Sequence, residues 1–197
     1  MHSHADNLPL RVLAIAGSLR RASFNGRLLA AAKALAPPGM SIDIYDDLAS
    51  VPLFNEDLEA PRAPASVERL RDAVARVDAV MIATPEYNQS IPGVTKNMVD
   101  WLSRGEPEVL DGKPLAVLGV TAGSWGTRLA QAALRHTLTA CGALTMPAPQ
   151  IYLRSGAELF DVDGRLGDAR SSESLSQFLV AFERWVRRMH GNDGLAR

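Results

Sequence analysis

Short apolar runs alternate with amphipathic stretches along most of this 197-residue chain. Five apolar runs predict buried strands, at residues 10–16, 41–45, 79–83, 115–120 and 144–147. The stretches with apolar positions at helical spacing predict helices at residues 24–35, 67–77, 93–103, 127–140 and 172–189. Between the second strand and the second helix, residues 46–65 form a proline-containing loop that is too long for a routine connection.

This alternation predicts an α/β domain with a parallel sheet that helices cover on both faces. The number of strands and the chain length favour a flavodoxin-like three-layer sandwich with strand order 2-1-3-4-5. We expect one such domain over residues 10–190, a disordered polar tail at 1–9 and a short tail at 191–197. Such sheets bind ligands beyond the carboxyl ends of their strands, where the strand order reverses. The loops after strands 1, 3 and 4 are therefore the candidate site.

The composition of the chain argues against some classes of binding partner. The chain is 22% charged with a net charge of −1, which gives no electrostatic basis for binding nucleic acid or an anionic membrane. No apolar run approaches the roughly 18 residues of a membrane span, and the first residues lack the pattern of a secretory signal. The single cysteine, Cys141, excludes an internal disulfide and suits a reducing compartment. We therefore expect a cytoplasmic protein without nucleic-acid or membrane partners.

The loop after the first strand carries groups that suit a phosphate. Ser18 and Ser23 supply hydroxyls, and Arg20 supplies a charged fork for phosphate oxygens. The next helix begins near Phe24 and Asn25, so its unpaired N–H groups face the same loop. Neither Gly-x-Gly-x-x-Gly nor Gly-Lys-Ser/Thr is present, so this is a phosphate loop of another type. The alternative is an ordinary turn capped by Ser23 or Asn25.

The loop after the third strand contains Pro85, Glu86, Tyr87 and Asn88. An acid, an aromatic ring and an amide in a proline-stiffened loop suit a flat heteroaromatic ring with a hydrogen-bonding edge. The alternatives are a proline-rich surface turn around Tyr87 and a role for Glu86 at a helix start.

The loop after the fourth strand contains Gly123 and Ser124, which are small enough to approach a ring edge or its attached chain. Trp125 either caps such a ligand or belongs to a subunit interface. We find no cluster of residues with zinc spacing, and the run Asp161-Val162-Asp163-Gly164 lacks the closing glutamate of a calcium loop. The sequence therefore predicts no metal site.

These motifs together resemble the NADPH-dependent FMN reductase family, and within it the soluble quinone and chromate reductase branch. The resemblance rests on Gly17-Ser18-Leu19-Arg20, Ser23-Phe24-Asn25 and Pro85-Glu86-Tyr87-Asn88, and continues through Pro92-Gly93, Lys96-Asn97 and Asp100-Trp101-Leu102-Ser103-Arg104. It implies noncovalent FMN, with the phosphate in the first loop and the isoalloxazine edge at the second. It also implies a homodimer or homotetramer. The third loop departs from the glycine run frequent in the family.

The resemblance implies that electrons pass from NAD(P)H through FMN to a small acceptor: a quinone, free flavin, an azo compound or chromate. Because the flavin carries the chemistry, no catalytic side chain is assigned. The chain has one nucleotide loop, so we expect NAD(P)H and acceptor to use the same flavin face in turn. The alternatives are a flavodoxin-type electron carrier, usually far more acidic, and a non-enzymatic flavin-binding module. Apolar stripes on the helices at 93–103 and 172–189 either form subunit interfaces or face only the sheet.

Overall fold

A computed structural model describes residues 8–192. Within these residues, six strands and six helices follow one another, one of each more than the sequence predicts. The first four strands alternate with the first four helices as predicted. The strands are β1 Leu10–Ala16, β2 Met40–Tyr45, β3 Ala79–Ala83, β4 Pro114–Val120, β5 Leu144–Thr145 and β6 Ile151–Leu153. The helices are α1 Phe24–Ala34, α2 Ala65–Ala75, α3 Gly93–Leu102, α4 Arg128–Ala140, α5 Gly156–Leu159 and α6 Ala169–Asn192.

The expected N-terminal tail at 1–9 lies outside the described residues except for Leu8 and Pro9. Of the expected C-terminal tail at 191–197, Gly191 and Asn192 belong to α6 and the rest lies outside the described residues.

The sheet is parallel and has the order β2-β1-β3-β4-β5, which confirms the flavodoxin-like arrangement. The predicted fifth strand at 144–147 is wrong in its extent. β5 has two residues and pairs with the start of β4, whereas β6, which the sequence reading missed, pairs with the end of β4. Pro147 and Pro149 lie between the two pieces. Proline has no N–H for the ladder, so the edge strand is interrupted there.

Two apolar clusters lie on opposite faces of the sheet. Alternate strand residues feed them: Val12 packs with α1 and α6 on one face, and Leu13 packs with α2, α3 and α4 on the other. Buried residues of α3 and α6 belong to these clusters, since Met98 and Phe178 are completely buried within the chain. The buried positions of the apolar stripes on these helices face the sheet, and the homodimer or homotetramer stays a prediction.

The long loop at 46–65 is fastened to α3. The indole N–H of Trp101 and the amide Nδ2 of Asn97 both donate to the carbonyl of Pro52, at 2.8 and 2.9 Å. The Oδ1 of Asn97 accepts the N–H of Phe54 at 2.7 Å, and the Phe54 ring meets Trp101 edge-on at 4.9 Å. These contacts hold the loop against the middle and end of α3, although it has only two short 3-10 turns of its own.

Candidate functional site

The first loop is fixed against the second at the carboxyl edge of the sheet. The N–H of Gly17 donates to the carbonyl of Ala83 at 2.8 Å, and the Thr95 hydroxyl donates to the carbonyl of Gly17 at 3.4 Å. A β-carbon on Gly17 would overlap the Thr95 hydroxyl, so glycine is required for this approach. These contacts join the end of β1 to the end of β3 and to α3.

The start of α1 offers donors to the first loop. Ser23 caps the helix, and its hydroxyl accepts the N–H of Gly26 at 3.2 Å. Within residues 8–192, the N–H groups of Phe24 and Asn25 have no acceptor. Two unpaired backbone donors at the positive end of a helix fit a phosphate group.

The side chain of Asn25 is committed to the protein itself. Its Nδ2 donates to the carbonyl of Val120 at 2.9 Å, and its Oδ1 accepts the N–H of Val120 at 3.0 Å. The side chain of Phe24 is also packed internally, because its ring stacks on Phe160 and lies directly against Gly156. Both side chains therefore have partners within the protein, whereas the two backbone N–H groups have none among residues 8–192.

Arg20 and Tyr87 meet at a cleft of about 440 Å³ between the first two loops, which we call the Tyr87 cleft. Its lining comes from Ser18, Leu19, Arg20, Tyr87, Pro92, Gly93 and Val94. The Arg20 guanidinium lies 5.6 Å from the centre of the Phe24 ring, and no carboxylate of the described chain pairs with it. An arginine without an acidic partner, in the loop that leads to two unpaired N–H groups, is suited to a phosphate group.

The tip of the second loop is a tight and strained reversal. Tyr87 and Ser90 exchange both backbone hydrogen bonds, at 3.2 and 3.0 Å. Asn88 and Gln89 between them have φ of 51° and 62°. Left-handed backbone is costly for residues other than glycine, and such strain is found preferentially at ligand sites. The reversal leaves Tyr87 48% exposed at the rim of its cleft.

Glu86 takes the helix-start role that the sequence left open. Its Oε2 accepts the N–H groups of Leu129 and Ala130 at 2.9 and 3.0 Å. A carboxylate at this place satisfies unpaired helix donors and complements the positive end of the α4 dipole. Pro85 is buried, and its carbonyl accepts the Thr84 hydroxyl at 2.8 Å. Glu86 thereby fastens the second loop to the start of α4.

The third loop borders a different concavity from the first two. Gly123 and Ser124 are exposed and do not line the Tyr87 cleft. The carbonyls of Thr121 and Gly123 accept the N–H groups of Gly156 and Ser155, at 3.0 and 3.3 Å, which ties the loop to α5.

A second cleft of about 350 Å³ lies beside the third loop, lined by Ser124, Trp125, Arg128, Tyr152 and Arg154. Sequence reasoning missed the last three of these residues. The available signal was the β-prone run Ile151-Tyr152-Leu153 between two loops, which marks the overlooked β6.

Residues 8–192 contain no group of three side chains suited to hold a metal ion. None of their helices combines the length and the apolar character needed to cross a bilayer.

A parallel sheet with this strand order and a phosphate-type loop after β1 defines a flavodoxin-like protein. Residues 10–158 match the family of NADPH-dependent FMN reductases, and the chain belongs to that family. It is 44% identical over 182 residues to an NAD(P)H-dependent FMN reductase of Pseudomonas aeruginosa, covering 92% of this chain and 98% of that protein. It is 34% identical over 184 residues to a quinone reductase of Escherichia coli K12, covering 91% and 97%.

The solved structure of FerB, a flavoenzyme NAD(P)H:(acceptor) oxidoreductase from Paracoccus denitrificans, has the same fold. It superposes with a TM-score of 0.84 at 36% identity and covers 91% of this chain and 98% of its own. Family membership confirms the resemblance drawn from the motifs. The chain is an oxidoreductase of a family whose cofactor is FMN and whose electron donor is NAD(P)H.

Proposed function

We propose that this chain binds FMN across the Tyr87 cleft and reduces small quinones with electrons from NAD(P)H. The observation that carries the proposal is that Arg20, which has no acidic partner among the described residues, lines one cleft with Tyr87. The loop that carries Arg20 leads directly into the unpaired N–H groups at the start of α1. Phosphate donors on one side and an aromatic loop on the other match the two ends of a flavin mononucleotide.

The first loop holds the phosphate in this proposal. Arg20 and the backbone N–H groups of Phe24 and Asn25 supply positive charge and directed donors. Ser18 and Ser23 add hydroxyl donors, since neither hydroxyl proton has an acceptor among the described residues. Asn25 contributes a second time by fixing the start of α1 to β4.

The second loop holds the ring. Bound FMN supplies two-electron transfer between donor and acceptor. The chain's part is to hold the ring edge against the backbone from Pro85 to Asn88, with Tyr87 at its border. Glu86 keeps this backbone fixed through α4. Gly123 and Ser124 border the site from the third loop, and no side chain is assigned as a catalytic acid or nucleophile.

Quinones are the favoured acceptor because a flat, neutral ring suits an open face beside an exposed tyrosine. The Escherichia coli relative is itself named a quinone reductase. Azo compounds, free flavin and chromate are the competing acceptors.

The test is steady-state turnover of the FMN-loaded protein with NADPH or NADH and each acceptor class. We expect the highest kcat/KM with 1,4-benzoquinone, and released FMN in one-to-one ratio with protein. Stoichiometric FMN without NAD(P)H oxidation would indicate that the chain is an electron carrier and not an enzyme. FAD as the main released flavin would refute the cofactor assignment, and faster turnover with chromate or an azo dye would refute the acceptor.

We also propose a homodimer or homotetramer in the cytoplasm. Large apolar side chains stay exposed, among them Leu53 at 82% and Trp125 at 83%, with Leu129. Exposed apolar side chains of this size support a subunit interface. Light scattering that gives a monomer mass at micromolar concentration would contradict the assembly.

A further inference from the structure

Arg20 of the first loop lies over the ring of Phe24, the first residue of α1. Its guanidinium carbon is 5.6 Å from the centre of that ring, a distance at which a cation–π contact is attractive. Arg20 also lines the Tyr87 cleft, and no carboxylate of the described chain pairs with it. The Phe24 ring is therefore a contact that can hold this exposed side chain in place.

The Phe24 ring is itself held by the segment that follows β6. It is nearly parallel to the ring of Phe160, with an interplanar angle of 7° and 6.3 Å between the ring centres. The backbone of Gly156 lies so close that an added β-carbon would be 2.7 Å from Cδ2 of Phe24. The ring beneath Arg20 thus packs against both α5 and the buried Phe160.

The turn that begins at Phe160 is closed by its own hydrogen bonds. The N–H of Asp161 donates to the carbonyl of Arg165 at 2.9 Å. The Oδ1 of Asp161 accepts the N–H groups of Asp163 and Arg165, at 2.9 and 2.8 Å. Phe160 belongs to the apolar cluster that α1 and α6 cover. The turn and the cluster together fix Phe160 against Phe24.

We propose that Phe160, acting through Phe24, positions Arg20 for the phosphate of FMN and so makes the site prefer FMN to riboflavin. This inference rests on the proposed function, in which Arg20 binds that phosphate. An arginine that is already held in place loses less side-chain entropy when it binds a ligand than one that is free to move. Phe24 and Phe160 are positioning residues, since they act through Arg20. The competing role for the two rings is core packing without any effect on Arg20.

Flavin affinities test this positioning. Fluorescence titration of the flavin-free protein with FMN and with riboflavin compares two probes that differ in the phosphate group. In Phe24→Leu and in Phe160→Leu, the dissociation constant for FMN should rise about threefold to tenfold, while that for riboflavin changes less than about twofold. Phe54→Leu is the matched control, because the Phe54 ring lies 6.0 Å from the guanidinium carbon of Arg104 and does not line the Tyr87 cleft. It should leave the ratio of the two dissociation constants unchanged.

A double-mutant cycle separates an effect through Arg20 from a general disturbance of α1. A shift of the α1 start would also weaken phosphate binding, but independently of Arg20. In the Arg20→Ala background, Phe24→Leu should raise the dissociation constant for FMN by less than about twofold, because the side chain that Phe24 positions is gone. The full threefold to tenfold rise in that background would overturn the proposal.

The mobility of the Arg20 side chain gives a readout that needs no flavin. In the full chain, the heteronuclear NOE of the Arg20 Nε–H group should exceed that of Arg21, which lies over no aromatic ring of residues 8–192. In Phe160→Leu the Arg20 value should fall to that of Arg21, and an unchanged value in the folded variant would contradict the positioning. Phe24→Leu, at a partly buried position, gives the same test if Phe160→Leu does not fold.

The remaining outcomes also decide. If Arg20→Ala loses the preference for FMN over riboflavin and both phenylalanine variants keep it, only this inference is refuted. A wild-type protein that binds neither flavin, or both equally well, refutes the phosphate site of the proposed function and this inference with it.

Discussion

The side-chain amide of Asn25 pairs with both backbone polar groups of Val120, donating to its carbonyl at 2.9 Å and accepting its N–H at 3.0 Å. Asn25 lies in the first turn of α1, and Val120 is the last residue of β4. The pair therefore joins the phosphate loop to the strand on the far side of β3. The Asn25 amide thus satisfies both backbone polar groups of Val120, as a residue of a neighbouring strand would.

Replacing Asn25 with alanine should destabilise the protein. Two buried backbone groups of Val120 lose their partner, so the free energy of unfolding should fall by about 2–4 kcal/mol. Urea unfolding of the flavin-free protein measures this. Asn55→Ala is the control, because Asn55 accepts one hydrogen bond, from Asp57, at an exposed turn. Its loss should stay below about 1 kcal/mol, and equal losses in the two variants would contradict the structural role of Asn25.

Asn25 also shows where sequence reasoning stops. Its position at a helix start was readable, because small polar residues between a buried strand and a helix predict a turn. Its partner lies 95 residues away, and nothing local indicates that separation. The sequence pattern thus located the loop but assigned the asparagine side chain to a ligand. Only the packing of α1 against β4 shows that its amide is already used.

The sheet also has features that local sequence patterns predict and features that they do not. Fully buried strands such as β3 and β4 appear as continuous apolar runs, so their number and order were predictable. β5 and β6 are short and separated by prolines, and their pairing depends on contacts with β4 that no local pattern encodes. The cleft beside the third loop was missed for this reason, since two of its residues, Tyr152 and Arg154, belong to β6 or follow it directly.

Arg20→Ala should weaken FMN binding while the fold stays intact. Loss of one charge-assisted phosphate contact costs about 1.5–3 kcal/mol, which is roughly tenfold to a hundredfold in dissociation constant. Fluorescence titration of the flavin-free protein with FMN gives the value. Arg21→Ala is the neighbouring control, because Arg21 does not line the Tyr87 cleft and should lose much less. Unchanged affinity of Arg20→Ala for FMN would show that the FMN phosphate does not bind at the first loop.

Gln89→Gly should stabilise the protein. Gln89 has φ of 62°, a conformation that costs about 1 kcal/mol for a residue with a β-carbon and little for glycine. Glycine also raises the entropy of the unfolded chain, which offsets part of the relieved strain. We therefore expect a net gain of about 0.5–1 kcal/mol in the free energy of unfolding. Gln89→Ala keeps the β-carbon and should give no gain. A gain of equal size in both variants would show that the side chain, and not the backbone, carries the strain.

The ion pair between Arg104 and Glu59 should make stability depend on acid pH. Arg104 hydrogen-bonds the Glu59 carboxylate at 2.7 and 2.9 Å and lowers its pKa below the ordinary 4.5. A lowered folded-state pKa stabilises the protein above the unfolded-state pKa, and this stabilisation is lost as pH falls through the folded value. Arg104→Gln should therefore reduce Tm at pH 7, and its deficit should shrink below about pH 4.5. Arg76→Gln is the control for the loss of one positive charge. If the Tm deficit of Arg104→Gln stays constant down to pH 3, titration of Glu59 is not its cause.

Tyr87→Ala should impair turnover more than cofactor content. The phosphate donors of the first loop remain in this variant, so FMN should still bind, although less tightly. Ring placement sets the geometry of electron transfer, and kcat should fall further than flavin occupancy. Tyr87→Phe keeps the ring and should retain most of the wild-type kcat if the aromatic face positions the flavin. Because Tyr87 is exposed, the oligomeric state of each variant is checked alongside by light scattering.

With 1,4-benzoquinone, parallel double-reciprocal lines are expected, since donor and acceptor alternate on one open face. Intersecting lines would instead require a ternary complex, with NAD(P)H and quinone bound together at separate places.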